Sequence, residues 1–249
     1  RLIEEAVQKR DVNFVCVKID SAGGHPNQSL TLANYLAADL DPEKVRTVAY
    51  IPSRALADAS LIAVACDHII MHPEALIGGE GDGVFSDEEK AQARRALREV
   101  ICKKTSRSWS LPTALIDGDL EVFRVTRKGL PGFFECFSEQ ELNEVADRNA
   151  WEKKEVITIK GKPLQLDGKK AADYGLAKDL VENFAAFKQL YGLERDPDLL
   201  EPTWIDTLVR ALASPYVAVL LLIVGGVALL IEVQTPGIGF GGVLAAVCF

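Results

Sequence analysis

RALADASLIAVACDHIIMHP, residues Arg54–Pro73, is the stretch whose reading decides the fold. Small and apolar residues from Ala59 to Cys66 predict a buried helix. His68 to Met71 is short, β-rich and apolar, which predicts a buried strand directly after it. Serine hydrolases place a nucleophile on the kind of small-residue turn that precedes this helix. Here the corresponding turn position is Ala57, and a methyl group cannot attack a carbonyl. The stretch poses a question: is this a protease frame without its serine, or another activity on the same frame?

Outward from this stretch, strands and helices alternate. VNFVCVKI (residues 12–19) predicts a buried strand that ends in DSAGG, Asp20 to Gly24. SLTLANYLAADL (Ser29 to Leu40) has helical periodicity and stops at Asp41-Pro42. RTVAYI (Arg46 to Ile51) predicts a second strand. After the opening stretch comes a glycine-rich bend, IGGEGDGV (Ile77 to Val84). The next helix is marked by Ser86 with Glu89 three residues on, the pattern of a capping box. Residues 110–160 are less regular. Strands are predicted at Glu121 to Lys128 and Lys154 to Gly161, with a helix between them starting at Ser138 and Glu141. GKPLQLDGKKAADYGLA predicts a strand, a turn at Gly168, a short helix and a stop at Gly175, and LVENFAAFKQLYG a final helix. This alternation predicts a layered α/β domain with a largely parallel sheet.

Composition narrows the function classes. The 249 residues carry 36 acidic and 28 Lys/Arg side chains, a net charge of −8, which argues against nucleic acid. The five cysteines, Cys16, Cys66, Cys102, Cys136 and Cys248, form no C-x-x-C pair and predict buried free thiols. His68 and His72 flank one strand, but no third ligand accompanies them, so no metal and no cofactor are expected.

The composition changes after Arg210. Ala211 to Ile231 contains no charged residue and is as long as a bilayer-spanning helix. The expected organisation is a domain over residues 1–192, a linker over 193–210, a transmembrane helix over 211–231, a Pro/Gly turn over 232–242 and the start of a second span over 243–249. The chain begins inside a helical pattern without Met and stops inside an apolar run, so both ends are expected to continue.

Together, KIDSAGG (residues 18–24), VAYIPSRALADASLIAVACDHIIMHPEALIGG (residues 48–79) and IEVQTPGIGFGG (residues 231–242) resemble the membrane-bound ClpP-class serine proteases of the NfeD family. The resemblance runs from about residue 10 to the end. It implies a ClpP/crotonase-like fold, a Ser–Lys dyad and a homo-oligomer. It also implies an extracytoplasmic ClpP-like domain on an integral membrane protein, with peptides or stomatin- and flotillin-like membrane proteins as partners. Gly23 and Gly24 take the place of the oxyanion-hole glycines. The serine falls on Ala57, the Ala-Gly pair after it on Asp58 and Ala59, and the lysine base on Lys90. An acidic side chain at Asp58 repels the negative charge that an oxyanion site must stabilise. Its ordinary role is a helix cap or first-turn acid.

Three readings follow. The first is a catalytically degenerate, membrane-anchored homologue that binds peptides or partners as a scaffold. The second is an active serine peptidase with a displaced nucleophile, Ser60 before Ser53 or Ser21, working with Lys90. The third is a crotonase-type acyl-CoA enzyme, since crotonases share an ALACD-like run into a strand. The apolar PGFFECF stretch (Pro131 to Phe137) is either a satellite core or an interface, with core the expectation.

Overall fold

The computed structural model describes residues 2–10, 12–130, 132–200, 212 and 214–234. Chain contacts divide it into two units, Ile3–Pro197 and a second comprising Arg1–Leu2 with Asp198–Phe249.

The larger unit takes in all but the first residue of a helix α1 (Leu2–Arg10), which leads to β1 (Phe14–Lys18), α2 (Pro26–Asn34) and β2 (Arg46–Ile51). A two-residue strand β3 (Arg54–Ala55), α3 (Ala59–Ala65), β4 (His68–Met71) and β5 (Leu76–Gly78) follow. β1, β2 and β4 lie side by side and parallel, with Val15 opposite Thr47 and Val48 opposite His68. The outer neighbour of β4 is the short strand β10 (Asp179–Leu180), also parallel. Parallel strands require crossover helices, and α2 and α3 provide them. Both helices pack on the sheet through small residues. Ala33, Ala63 and Ala65 are buried with Leu36, Leu61 and Val64 in the main core. The helix predicted from Ser29 begins at Pro26, where the ring suits a first helical turn, and continues past Asn34 as a π-helical turn over Tyr35–Asp39.

The parallel sheet contains one buried polar knot. Thr47 donates through its backbone N–H (2.7 Å) and hydroxyl (2.9 Å) to the Asp67 carboxylate, which also faces Lys104 at 3.2 Å. Arg107 donates to the carbonyls of Val64, Cys66 and Asp67 and so satisfies the end of α3.

β3, β5 and β9 (Gln165–Asp167) form a second, mixed sheet. α4 (Asp87–Ala96) starts with the predicted capping box of Ser86 and Glu89. It runs through a π-helical turn into the short α5 (Cys102–Lys104), and α6 (Ser110–Ala114) follows. β6 (Val122–Arg127) is the centre of a third, antiparallel sheet between β7 (Phe134–Ser138) and β8 (Trp151–Val156). The strand predicted at Lys154 to Gly161 thus lies earlier. Pairing with Arg127 places Trp151 in a small aromatic core, whereas Ile159 sits 71% exposed in a turn closed against Lys162. Cys136 and Phe137 are buried as expected, and Phe133 is half-exposed.

α7 (Glu139–Glu144) is shorter than predicted. Ser138 caps it, but Glu141 does not close a capping box. Its carboxylate turns instead to Ser108, Trp109 N–H and Ser110. α8 (Gly168–Asp173) is capped by Asp167, so Gly168 opens the helix rather than turning before it. α9 (Phe184–Leu190) closes the unit, with Phe187 fully buried against Tyr50.

In the second unit, the described part of the apolar segment forms one helix, α10 (Pro215–Gln234). Among the described residues no helix is long and apolar enough to cross a membrane. The side chains of 228–234, most of the expected turn and all of the expected second span lie outside the described residues, as does Cys248.

Candidate functional site

Parallel strands place the loops at their carboxyl ends along one edge of the sheet, where ligand sites of open α/β sheets form. Here the loop after β1 and the loop after β2 meet. Ser21 N–H donates to the Arg54 carbonyl (2.9 Å), and Leu56 N–H donates to the Ser21 carbonyl (3.0 Å). The glycine-rich bend joins them, with Asp82 N–H donating to the Ala22 carbonyl at 2.7 Å. Three segments far apart in sequence thus surround Ala57 and Asp58.

Ala57 is 3% exposed and has φ = +45°, a left-handed conformation that a residue with a Cβ rarely adopts. Such a backbone costs on the order of 1–3 kcal/mol and persists only where its surroundings hold it. α3 begins two residues later. Ser60, the foremost substitute nucleophile in the sequence, is buried and donates to the Ala57 carbonyl at 2.6 Å. Its hydroxyl is committed to the helix start and is not delivered to the loops. Ser53 is exposed ahead of the turn.

Asp58 occupies the N-cap position of α3, but its side chain makes no cap bond. This corrects the expectation of an ordinary cap. The carboxylate is turned back into the glycine loop and is 2% exposed. Oδ1 accepts from Gly24 N–H at 2.8 Å, and Oδ2 accepts from the Ser29 hydroxyl at 2.6 Å. Gly23 N–H donates to Ser21 Oγ at 3.1 Å. The two amides expected to stabilise an oxyanion are therefore both bonded to side chains of the same chain. Gly23 has φ = +91°, and a Cβ on it would stand 2.6 Å from Asp58 Oδ1. A Cβ on Gly83 would overlap the same carboxylate. The cradle fits Asp58 only because both positions are glycine.

Lys90 sits in the first turns of α4, half-buried, with its N–H bonded to the Ser86 carbonyl. Among the described residues its ammonium makes no hydrogen bond or ion pair, and the Asp58 carboxylate is partnered by Gly24 and Ser29 instead. Sequence reasoning missed Ser29 and Gly83. Ser29 reads as an ordinary residue of a helix start, and only the glycine density of residues 78–83 hinted at a close approach.

Beside these loops a cleft of about 430 Å³ opens from Gly79 and Glu80 along β9, lined further by Ile157, Leu164, Gln165 and Tyr174. Among the described residues no group of His, Cys, Asp and Glu is arranged to hold a metal. His68 and His72 part company: His72 faces Glu182 at 3.5 Å, and His68 faces Tyr191. Cys66, Cys102 and Cys136 are buried free thiols, and burial pushes all three up to about 12.

No protein-family model matches the chain. Membrane protein NfeD1b of Bacillus subtilis (strain 168) is 22% identical to it over 235 residues, 92% of this chain. The chain spans 46% of the length of that relative. The chain is thus a homologue of an NfeD-type membrane protein, as its motifs imply. Among solved structures, two mutants of the 1510-N membrane-bound stomatin-specific protease are 11% identical to it. One covers 79% of this chain and 76% of its own with a TM-score of 0.44. The other, in complex with a substrate peptide, covers 82% and 84% with a TM-score of 0.47. Likeness of that degree assigns no residue a role.

Proposed function

We propose that this chain is a membrane-anchored homologue of the ClpP-class serine proteases that no longer cleaves peptide bonds and serves as a peptide- or partner-binding scaffold. One observation carries the reading: the loop that would stabilise an oxyanion is filled from within. Gly24 N–H is bonded to the Asp58 carboxylate and Gly23 N–H to Ser21, beside an alanine on a strained turn. A developing oxyanion needs free, preorganised donors. A fixed carboxylate already occupies the Gly24 donor and repels a second negative charge, and the Ser21 hydroxyl occupies the Gly23 donor. The strained turn at Ala57 carries no hydroxyl to act as a nucleophile.

In this proposal residues 211–231 form a membrane span, an assignment that rests on the sequence: they carry no charge, and a bilayer core needs about 20 apolar residues. The larger unit would lie outside the cytoplasm and form homo-oligomers, and stomatin- or flotillin-like membrane proteins or peptides would be its partners. These assignments rest on the family resemblance. The cleft beside Gly79 offers an extended segment a place next to the loops.

A second reading is favoured by one contact. The Ser29 hydroxyl donates to Asp58 at 2.6 Å beside the Gly24 amide, so a hydroxyl and a carboxylate base stand together. The test treats the full chain, in detergent, with a serine-reactive fluorophosphonate and maps adducts by mass spectrometry. The parent chain is expected to stay unlabelled, and Ala57→Ser/Asp58→Gly is expected to label at residue 57 faster than Ala57→Ser alone. An adduct on Ser29 in the parent chain establishes the second reading. An adduct on Ser60, Ser53 or Ser21 overturns both.

A further inference from the structure

The opposite edge of the parallel sheet carries a second polar cluster. Arg46 opens β2, His68 opens β4, and Lys178 directly precedes β10. Arg46 Nη1 lies 3.2 Å and Lys178 Nζ 2.9 Å from the same atom, His68 Nε2. The other ring nitrogen, Nδ1, lies 2.9 Å from the Tyr191 hydroxyl. An imidazole nitrogen offers one lone pair, so it accepts one good hydrogen bond. The second cation points at the same place without an acceptor of its own.

The chain has acids to spare, 36 against 28 bases, and it uses them elsewhere. Arg94 faces Asp117, Arg98 faces Glu144, Lys104 faces Asp67 and Arg127 faces Asp147. Among the described residues, Arg46 and Lys178 have no such carboxylate partner. Two cations converging on a neutral ring repel each other unless an anion stands between them. A guanidinium fork with a point-charge ammonium beside it suits tetrahedral oxyanions.

We propose that Arg46, Lys178 and His68 form a binding site for a phosphate group, at the sheet edge opposite the glycine loops. The inference does not depend on the reading of those loops. Burial holds the His68 imidazole below its ordinary value, and Lys178, Arg46 and Arg107 press the same way against the single opposing charge of Asp67. Burial, with Asp179 adding to it, pushes the Tyr191 hydroxyl up to about 12, so it stays a neutral acceptor for Nδ1–H. These surroundings favour the neutral imidazole. A bound anion reverses the balance, favours the imidazolium and gains a third donor.

The test follows the His68 ring proton signal by NMR in the full chain, in detergent, while inorganic phosphate is added at pH 7 and constant ionic strength. A saturable shift is expected, together with a rise in the His68 pKa. Lys178→Gln and Arg46→Gln should each weaken binding about tenfold, the scale of one lost charge-assisted contact. Substituting the exposed Lys169→Gln should change nothing. A shift that never saturates, or that survives Lys178→Gln unchanged, overturns the proposal. Nanodiscs containing phosphatidic acid, compared with phosphatidylcholine alone, then identify the source. A Lys178-dependent shift in the phosphatidic acid discs assigns the site to a lipid headgroup, and saturation by free phosphate alone assigns it to a soluble phosphate.

Discussion

Two buried carboxylates, Asp58 and Glu141, solve the same physical problem in different places. Asp58 takes one backbone N–H and one hydroxyl, from Gly24 and Ser29. Glu141 takes two backbone N–H groups, from Trp109 and Ser110, and the hydroxyls of Ser108 and Ser110. Both satisfy donors that burial would otherwise leave unpaired. Glu141 does so at the seam between the start of α6 and the third sheet. Asp58 does so at the sheet edge where a ligand site belongs. A buried carboxylate is therefore not itself a functional mark. What matters is whose donors it consumes, and in the proposed reading Asp58 consumes one that a substrate carbonyl would need.

That contrast can be broken, beginning with the largest expected effect. Glu141→Ala leaves four donors without their acceptor in a closed seam, and it should cost about 3 kcal/mol in a urea unfolding curve. Loss of under 1 kcal/mol would mean that the seam admits water as readily as a loop does.

Acid tests a third carboxylate, Asp67. Burial pushes this carboxyl up, but the Thr47 N–H and hydroxyl and the Lys104 ammonium outweigh it and hold it below 3.8. A depressed folded pKa gives stability that is present above the unfolded value and lost as pH falls through the folded one. The urea midpoint should therefore drop below pH 3.8, and Asp67→Asn should flatten that part of the profile. An unchanged profile in Asp67→Asn would remove Asp67 from the account.

Asp58→Ala should cost less, about 1 kcal/mol, because water can reach the glycine loop once the carboxylate is gone. Its signature is local: the Gly24 amide should exchange with solvent faster than in the parent chain, with the Ser110 amide unchanged. A loss equal to that of Glu141→Ala would make the two carboxylates structurally equivalent and weaken the contrast. The smallest effect belongs to Ala57→Gly, which removes the strained Cβ at φ = +45°. It should stabilise the chain by about 0.5 kcal/mol, part of the relief being offset by glycine's greater freedom in the unfolded chain.

Much of the frame was legible because it depends on local pattern. β2 and β4 fall on the predicted residues, and the Ser86 box forms as read. These segments announce themselves by β-branched runs, small-residue helices and caps, whose physics spans only a few neighbours. Ala57 at the turn and the glycine pair after β1 were legible for the same reason. The third sheet was read less well. Its register is set by which side chains bury across strands, so β8 starts at Trp151 rather than Lys154.

The sequence by itself determined an acidic α/β chain and a charge-free apolar segment near its end, and its family resemblance implied a serine position at Ala57 and oxyanion glycines at Gly23 and Gly24. Only the tertiary structure decided what Asp58 and Glu141 do. The Gly24 amide lies 34 residues from Asp58 and the Ser110 amide 31 from Glu141. A carboxylate's partners are chosen by the fold that brings distant donors to it, and the penalty for leaving those donors dry exceeds the gain from any local cap. The same holds for Arg46, His68 and Lys178, up to 132 positions apart in sequence and joined at one ring nitrogen because parallel pairing aligns the starts of their strands.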